Sequence, residues 1–204
     1  HLALEAFKHT AQYDAAISAW LARQFEGREG LPPVVAPWLE KLQDLRYGEN
    51  PHQAAAVYLQ VGAAEIGVAG AVQLHGKELS YNNYLDLTAC LEAARDFDEP
   101  TAVIVKHLNP CGLASAPDLR AAFESAWATD PMAAFGGVIG FNRVVDRATA
   151  EILGDADYLA DVILPRYVRE SGDEHATVLA AFVEAVIAPG YEPDALEILQ
   201  QKKN

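Results

Sequence analysis

Lys106 and His107 stand together at the end of an apolar, β-branched run, Val103-Ile104-Val105. A His beside a Lys suits a general base paired with a stabiliser of an oxyanion or a leaving group. Upstream, Arg46, Tyr47 and His52 fall within the single stretch LRYGENPHQ. Arg donates in a planar fork and Lys supplies a point charge, so two such cations with a Tyr suit a phosphate or carboxylate. A third cluster, Phe135-Gly136-Gly137, would let a backbone amide approach a ligand closely. Each cluster alone also has a plain structural reading. Arg46 could form a surface ion pair, His52 a turn hydrogen bond, and the glycines a tight turn. Lys106 could simply reach solvent, with His107 hydrogen-bonded at the rim.

Two other chemistries fail on spacing. Pro110-Cys111 after a His resembles the zinc deaminase pattern, which needs H-x-E and P-C-x-x-C. Here Cys111 is followed by Gly112, Leu113 and Ala114, and His107-Leu108-Asn109 lacks the Glu. Zinc is therefore not expected, and Cys111 reads as a small buried residue. Phe135-Gly136-Gly137 has neither the length of a P-loop or dinucleotide fingerprint nor a following helix.

The elements that must position these residues alternate along the chain. Residues 1–25 carry helical spacing (Leu4, Phe7, Ala11, then Tyr13, Ile17, Trp20, Leu21), with a join or bend around HTAQYDAAI. A Gly- and Pro-rich stretch from Glu26 to Pro37 reads as a linker and marks a boundary. Ala54–Val61 reads as a strand, with Val57 and Leu59 on one face and Tyr58 on the other. A helix from about Tyr84 to Phe97 follows, with Asn82 or Asn83 as its N-cap.

The run Val103-Ile104-Val105 then reads as a strand buried on both faces, as in a parallel sheet, breaking off into Lys106-His107 and then an Asn109-Pro110 turn. Strand, helix and strand in this order suit a right-handed βαβ unit. Lys106 and His107 thus fall at the carboxyl end of a strand, where open α/β sheets bind ligands. Asp118 opens a second helix that Asp130-Pro131 stops, and DPMAAFGG is a loop before the strand Val138–Phe141. Asp146 caps a short helix over Ala148–Leu153. Val183–Ala188 is a further strand, and Asp194 opens a last helix with Lys202 and Lys203 at its C-terminal end. Gly154–Ala180 carries no motif.

Composition bounds the partners. The 204 residues are 51% hydrophobic and 22% charged, which suits a globular domain with a substantial core. A net charge of -14 argues against non-specific nucleic-acid binding, so an anionic ligand needs locally concentrated basic residues. No apolar run approaches the roughly 20 residues that span a bilayer, so no membrane partner is expected. Two cysteines, Cys90 and Cys111, make no disulfide framework, which suits a reduced, cytoplasmic setting. The chain opens at His1 without an initiator Met, which reads as a piece of something longer.

The ordered motifs LRYGENPHQ, GKELSYNN, VIVKHLNPCG and DPMAAFGGVIGFNR closely resemble a bifunctional purine biosynthesis family. In that family, aminoimidazole carboxamide ribonucleotide (AICAR) formyltransferase is joined to IMP cyclohydrolase. AFKHTAQYDAAISAWL and EAVIAPGYEPDALEILQQKKN are similar to the same family, so the resemblance covers most of residues 1–153 and 182–204. It implies an α/β fold: a cytidine-deaminase-like three-layer subdomain of sheet and helices without zinc, preceded by a helical tail of an upstream domain. By this resemblance residues 1–25 are the cyclohydrolase tail, 26–44 a linker, and 45–204 the first transferase subdomain, with 154–180 an insertion at the surface.

The resemblance also assigns roles. His107 would help deprotonate the AICAR amine as it attacks the formyl group of 10-formyltetrahydrofolate, the co-substrate. Lys106 would stabilise charge on the phosphate or the tetrahedral centre. Arg46, Tyr47 and Gly48 match the motif that holds the nucleotide, and Phe135 and Gly136 match the loop lining its pocket. His52 and Asn83 match positions near the site. The family's cyclohydrolase residues and second transferase half have no counterpart here, so this chain alone is expected to complete neither reaction and to work within a longer, homodimeric protein. The alternative is a stand-alone nucleotide-binding or regulatory module that lost catalysis.

Overall fold

The computed structural model describes residues 1–25, 34–62, 67–173 and 182–202. Two compact units make up the chain. The first contains helix α1 (Leu2–Phe25) and strands β1 (Leu39–Asp44) and β2 (Ala56–Gln60). Helix α1 runs unbroken through the segment expected to bend, since no Gly or Pro interrupts it. None of its side chains is buried. Strand β1 lies in the second half of the expected linker and pairs antiparallel with β2. Its sequence, LEKLQD, has little β-branched character, so pairing rather than propensity makes it a strand. Residues 26–33 of that linker lie outside the described residues. In β2, Val57 and Leu59 are half-buried and Tyr58 is exposed, matching the expected faces.

The second unit is built on a four-stranded sheet in the order β4-β3-β5-β6. Its strands are β3 (Thr101–Lys106), β4 (Asn109–Ser115), β5 (Gly137–Phe141) and β6 (Val183–Ile187). Strand β3 is buried from Thr101 to Val105, as the apolar run predicts. Its neighbours, however, are both antiparallel, and only β5 and β6 run parallel. Two-sided burial here comes from helices covering both faces of the sheet, not from strand direction. Helix α2 (Tyr81–Arg95) packs Leu87, Cys90 and Ala94 against Val103, Val105 and Val138. Helix α3 (Leu119–Trp127) packs Phe123 and Trp127 against the alternate residues, Ala102, Ile104, Ile139 and Phe141. The expected βαβ unit is not formed, because β2 belongs to a separate two-stranded sheet with β1.

The turn after β3 also differs from expectation. His107 and Leu108 form it, at φ 53° and 66°, while Asn109 and Pro110 already belong to β4. Strand β4 lies at the sheet edge, where the missing N–H of Pro110 removes no bond from a central ladder. The register slips between Ile104 and Val105, leaving Cys111 as the extra residue of a bulge.

Helix starts follow capping side chains. Helix α2 begins three residues before the expected start at Tyr84, because Ser80, and neither Asn82 nor Asn83, is its N-cap, with Asn83 completing a capping box. Asp118 caps α3 and Asp146 caps α5 (Arg147–Ile152), both as expected. The DPMAAFGG stretch contains a short helix, α4 (Pro131–Ala134), capped by Asp130. Helix α8 (Pro193–Gln200) starts just ahead of Asp194.

Much of the segment read as a surface insertion is helical: α6 (Ala156–Tyr158), a π-helical stretch Leu159–Ile163, and α7 (Leu164–Ser171). Leu159 and Ile163 are fully buried in the α3-side core, so this segment is anchored and not merely draped on the surface. Tyr158 adds a polar tie, accepting from Arg120 at 3.1 Å and donating to Glu124, both on α3. Residues 174–180 of the segment lie outside the described residues.

Candidate functional site

Antiparallel pairing brings the end of β3 beside the start of β5, and β6 begins next to β5. The first turns of α2 reach the same edge, where Asp86 accepts from the Leu108 amide at 2.8 Å. Nearly all of the expected site residues therefore sit around one end of the sheet. Their connection can be followed bond by bond.

Lys106 is half-buried and its Nζ donates to the Phe135 carbonyl at 2.8 Å. One of its three N–H donors is thereby used and two remain for a ligand. Gly136, in the left-handed region at φ 71°, donates its amide to the Phe182 carbonyl at 2.8 Å. The Phe135 and Phe182 rings pack at 6.0 Å. Two residues on, Glu184 of β6 accepts from Asn83 Nδ2 at 2.9 Å. Asn83 lies in the first turn of α2, whose leading residues hold the Arg46 loop. The Arg46 amide donates to Leu79 O at 3.3 Å, and the Tyr81 amide donates to Tyr47 O at 3.2 Å.

Arg46 itself is exposed, with its guanidinium stacked 4.9 Å from the Tyr47 ring and donating to the Tyr47 hydroxyl at 3.3 Å. That stacking pre-orients a fork whose other N–H groups are available for an anion. Gly48 is buried, with its amide donating to the Gln53 carbonyl at 2.8 Å. His52 is exposed in the turn that this bond closes. His107 is exposed at the tip of the β3–β4 turn, and its carbonyl accepts from Asn109 Nδ2 at 2.9 Å. The arrangement gives one cation at the strand end, another on the loop bonded to the start of α2, and an exposed imidazole in the β3–β4 turn.

A cavity of about 350 Å³ lies elsewhere, between β6 and α8, with Leu74, His75, Leu153, Tyr191, Leu199 and Lys202 in its walls. None of the expected site residues lines it. Burial pushes the Lys202 ammonium below its usual range, as an apolar wall would. Among the described residues, no His, Cys, Asp and Glu side chains cluster closely enough to hold a metal ion.

The AICARFT/IMPCHase bienzyme family matches this chain over residues 1–204. The chain belongs to that family. It is 46% identical over 203 residues to a Bacillus mycoides protein named bifunctional purine biosynthesis protein PurH. Proteins of the same name from Bacillus cereus and Acetivibrio thermocellus are 45% and 43% identical over the same length. Each comparison covers 100% of this chain and 34% of the relative, so the chain spans about a third of the length of these AICARFT/IMPCHase proteins.

Sequence reasoning missed two residues at this sheet end: Glu184, which holds Asn83, and Asp86, which holds the turn carrying His107. Glu184 sits in the strand VEAVI with no local signal, and only the parallel pairing of β5 with β6 reveals its place. The Ser80-x-x-Asn83 capping box was legible in principle, with Asn in place of the commoner Glu or Gln at the third helical position.

Proposed function

We propose that this chain contributes the amine-activating half of an AICAR formyltransferase within a longer purine biosynthesis protein. The observation that carries the reading is the Lys106–Phe135 bond at 2.8 Å, which joins two of the three clusters found in the sequence. In this reading Arg46 and Tyr47 help hold the nucleotide, the buried Gly48 closes their turn through its bond to Gln53, and Phe135 and Gly136 line the nucleotide. His52 lies at the rim. The AICAR amine attacks the formyl carbon of 10-formyltetrahydrofolate while His107 takes the amine proton. The new C–N bond forms, the bond from the formyl carbon to the folate nitrogen breaks, and that nitrogen takes up a proton. Lys106 offsets negative charge on the tetrahedral centre or the phosphate.

The product, formyl-AICAR, would be closed to IMP by the linked cyclohydrolase, whose tail is residues 1–25, with 26–44 as linker and 45–204 as the first transferase subdomain. A cytidine-deaminase-like arrangement without zinc is part of this proposal, supported by the mixed sheet with helices on both faces and the incomplete P-C-x-x-C pattern. So are a homodimer and a cytoplasmic setting, the latter supported by two free cysteines. Among the described residues no helix is long and apolar enough to cross a membrane. The second reading is a nucleotide-binding module without turnover.

Calorimetry with AICAR tests the reading. Lys106→Ala should weaken binding about tenfold or more, the scale of a hydrogen bond to a charged group. Formyl transfer, assayed in a protein that also carries the remaining family sequence, should be lost in His107→Ala with AICAR affinity largely kept. Transfer that survives in His107→Ala would remove the assigned base. Binding without transfer in the unmutated longer protein would favour the module.

A further inference from the structure

Asn83 matches a family position near the site, yet its side chain has little left to offer a ligand. It is 6% exposed. Its Oδ1 accepts from both the amide and the hydroxyl of Ser80, each at 2.9 Å, which fills the two lone pairs. Its Nδ2 donates to Glu184 Oε1 at 2.9 Å, across 101 residues of sequence. Ser80, 1% exposed, lies between Leu79 and Tyr81, the two residues whose backbones hold Arg46 and Tyr47. The adjoining Asn82 adds a bond from Nδ2 to Glu49 O at 3.3 Å.

We infer that Asn83 is a positioning residue: it clamps the start of α2 to Glu184 on β6 and so fixes the Arg46–Tyr47 loop. This deepens the proposed function and rests on it only where nucleotide affinity is concerned. Without the clamp, the first turn of α2 keeps its bonds to the Arg46–Tyr47 loop and loses its hydrogen bond to β6, while Ala185 and Ile187 still pack against the rest of the helix. The Ser80 cap would survive such a loss, because it needs only an acceptor at position 83.

Asn83→Asp separates the two tasks. The carboxylate still accepts from Ser80, but the donor to Glu184 is gone and two carboxylates face each other. A second change, Glu184→Gln, restores a bond in reverse, with the Gln amide donating to the carboxylate introduced at position 83. Backbone hydrogen exchange is the first readout, taken at Tyr81 and Arg46 and, for reference, at Val103–Val105 of β3. Asn83→Asp should speed exchange at Tyr81 and Arg46 by roughly tenfold, the scale of one hydrogen bond to a charged group, and leave β3 unchanged. The double variant should restore slow exchange.

Unchanged exchange at Tyr81 and Arg46, or acceleration equal throughout β3, would overturn the inference. So would failure of the double variant to restore it. AICAR affinity is the second readout and should weaken in Asn83→Asp together with the faster exchange. If the unmutated protein does not bind AICAR, the nucleotide reading fails while the exchange data still decide the clamp. If it binds and Asn83→Asp leaves affinity intact, the clamp does not position the loop.

Discussion

The two faces of the four-stranded sheet are packed by different means. On the α3 side the core is broad and aromatic: Phe123, Trp127 and Phe141 are fully buried, with the first two rings 5.5 Å apart. On the α2 side the core is thin and, apart from Leu87, made of small or β-branched residues, Cys90, Ala94, Val103, Val105 and Val138 among them. Helix α2 lies so close that a Cβ on Gly140 would stand 2.7 Å from Cys90 Cβ. The α3 face supplies most of the apolar burial that holds the sheet together. The thin α2 face contributes less burial but fixes a helix whose first turn meets the candidate site. Damage to the first face should therefore appear as lost stability, and damage to the second as a displaced site.

Gly112→Ala should have the largest effect. Its Cβ would sit 2.1 Å from the Ala126 carbonyl oxygen, a backbone atom that cannot swing aside. We expect a loss at or above the roughly 3 kcal/mol upper range for overpacking, read as lost soluble yield or a collapsed thermal midpoint. A midpoint within a few degrees of the parent would mean that α3 can move off the sheet, and would contradict the rigid face described above.

Gly140→Ala should cost about 1–3 kcal/mol, since Cys90 Cβ and backbone must shift together. Its signature should be unequal: AICAR affinity should fall by more than the change in stability accounts for, because α2 moves as a body. Equal small losses in both would erase the distinction between the faces.

The smallest effect concerns pH. Burial pushes the Cys90 thiol up from 9.0 to about 12, and its Sγ lies 3.2 Å from the Val138 carbonyl. A raised thiol keeps its proton in the folded state, so the unfolded chain ionises first. The stability Cys90 contributes is complete below pH 9 and is lost as pH climbs toward about 12. Thermal midpoints should therefore decline above pH 9, and less steeply in Cys90→Ala. A residual slope belongs to Tyr191, which burial also raises to about 12, and to Cys111 and Tyr158, which burial raises as well. Identical slopes with and without Cys90 would show that the α2 face opens to solvent.

Legibility in the sequence followed how local each signal was. The helix start at Asp118, the cap at Asp146 and the buried run Val103–Val105 are read within a few residues and were found. Strand direction was not, because two-sided burial looks alike in a parallel sheet and in an antiparallel one covered by two helices. The β1–β2 pairing and the Asn83–Glu184 bond join distant segments, and nothing near either partner announces the other. The clusters at Arg46, Lys106 and Phe135 were visible singly. That they share one sheet end became visible only through the β3–β5–β6 order.

The turn between β3 and β4 bears on how the protein could be engineered. His107 and Leu108 both occupy left-handed backbone, which costs about 1 kcal/mol for each side chain that is not glycine. A two-residue hairpin turn of this kind favours Asn-Gly. A screen for heat resistance alone would therefore select Gly at 108 and Asn at 107. The first exchange should be harmless, and the second would remove the imidazole that the proposed transfer reaction uses. Mutant libraries sorted only by survival on heating would thus enrich proteins without that imidazole, and need an activity gate to test the proposed function.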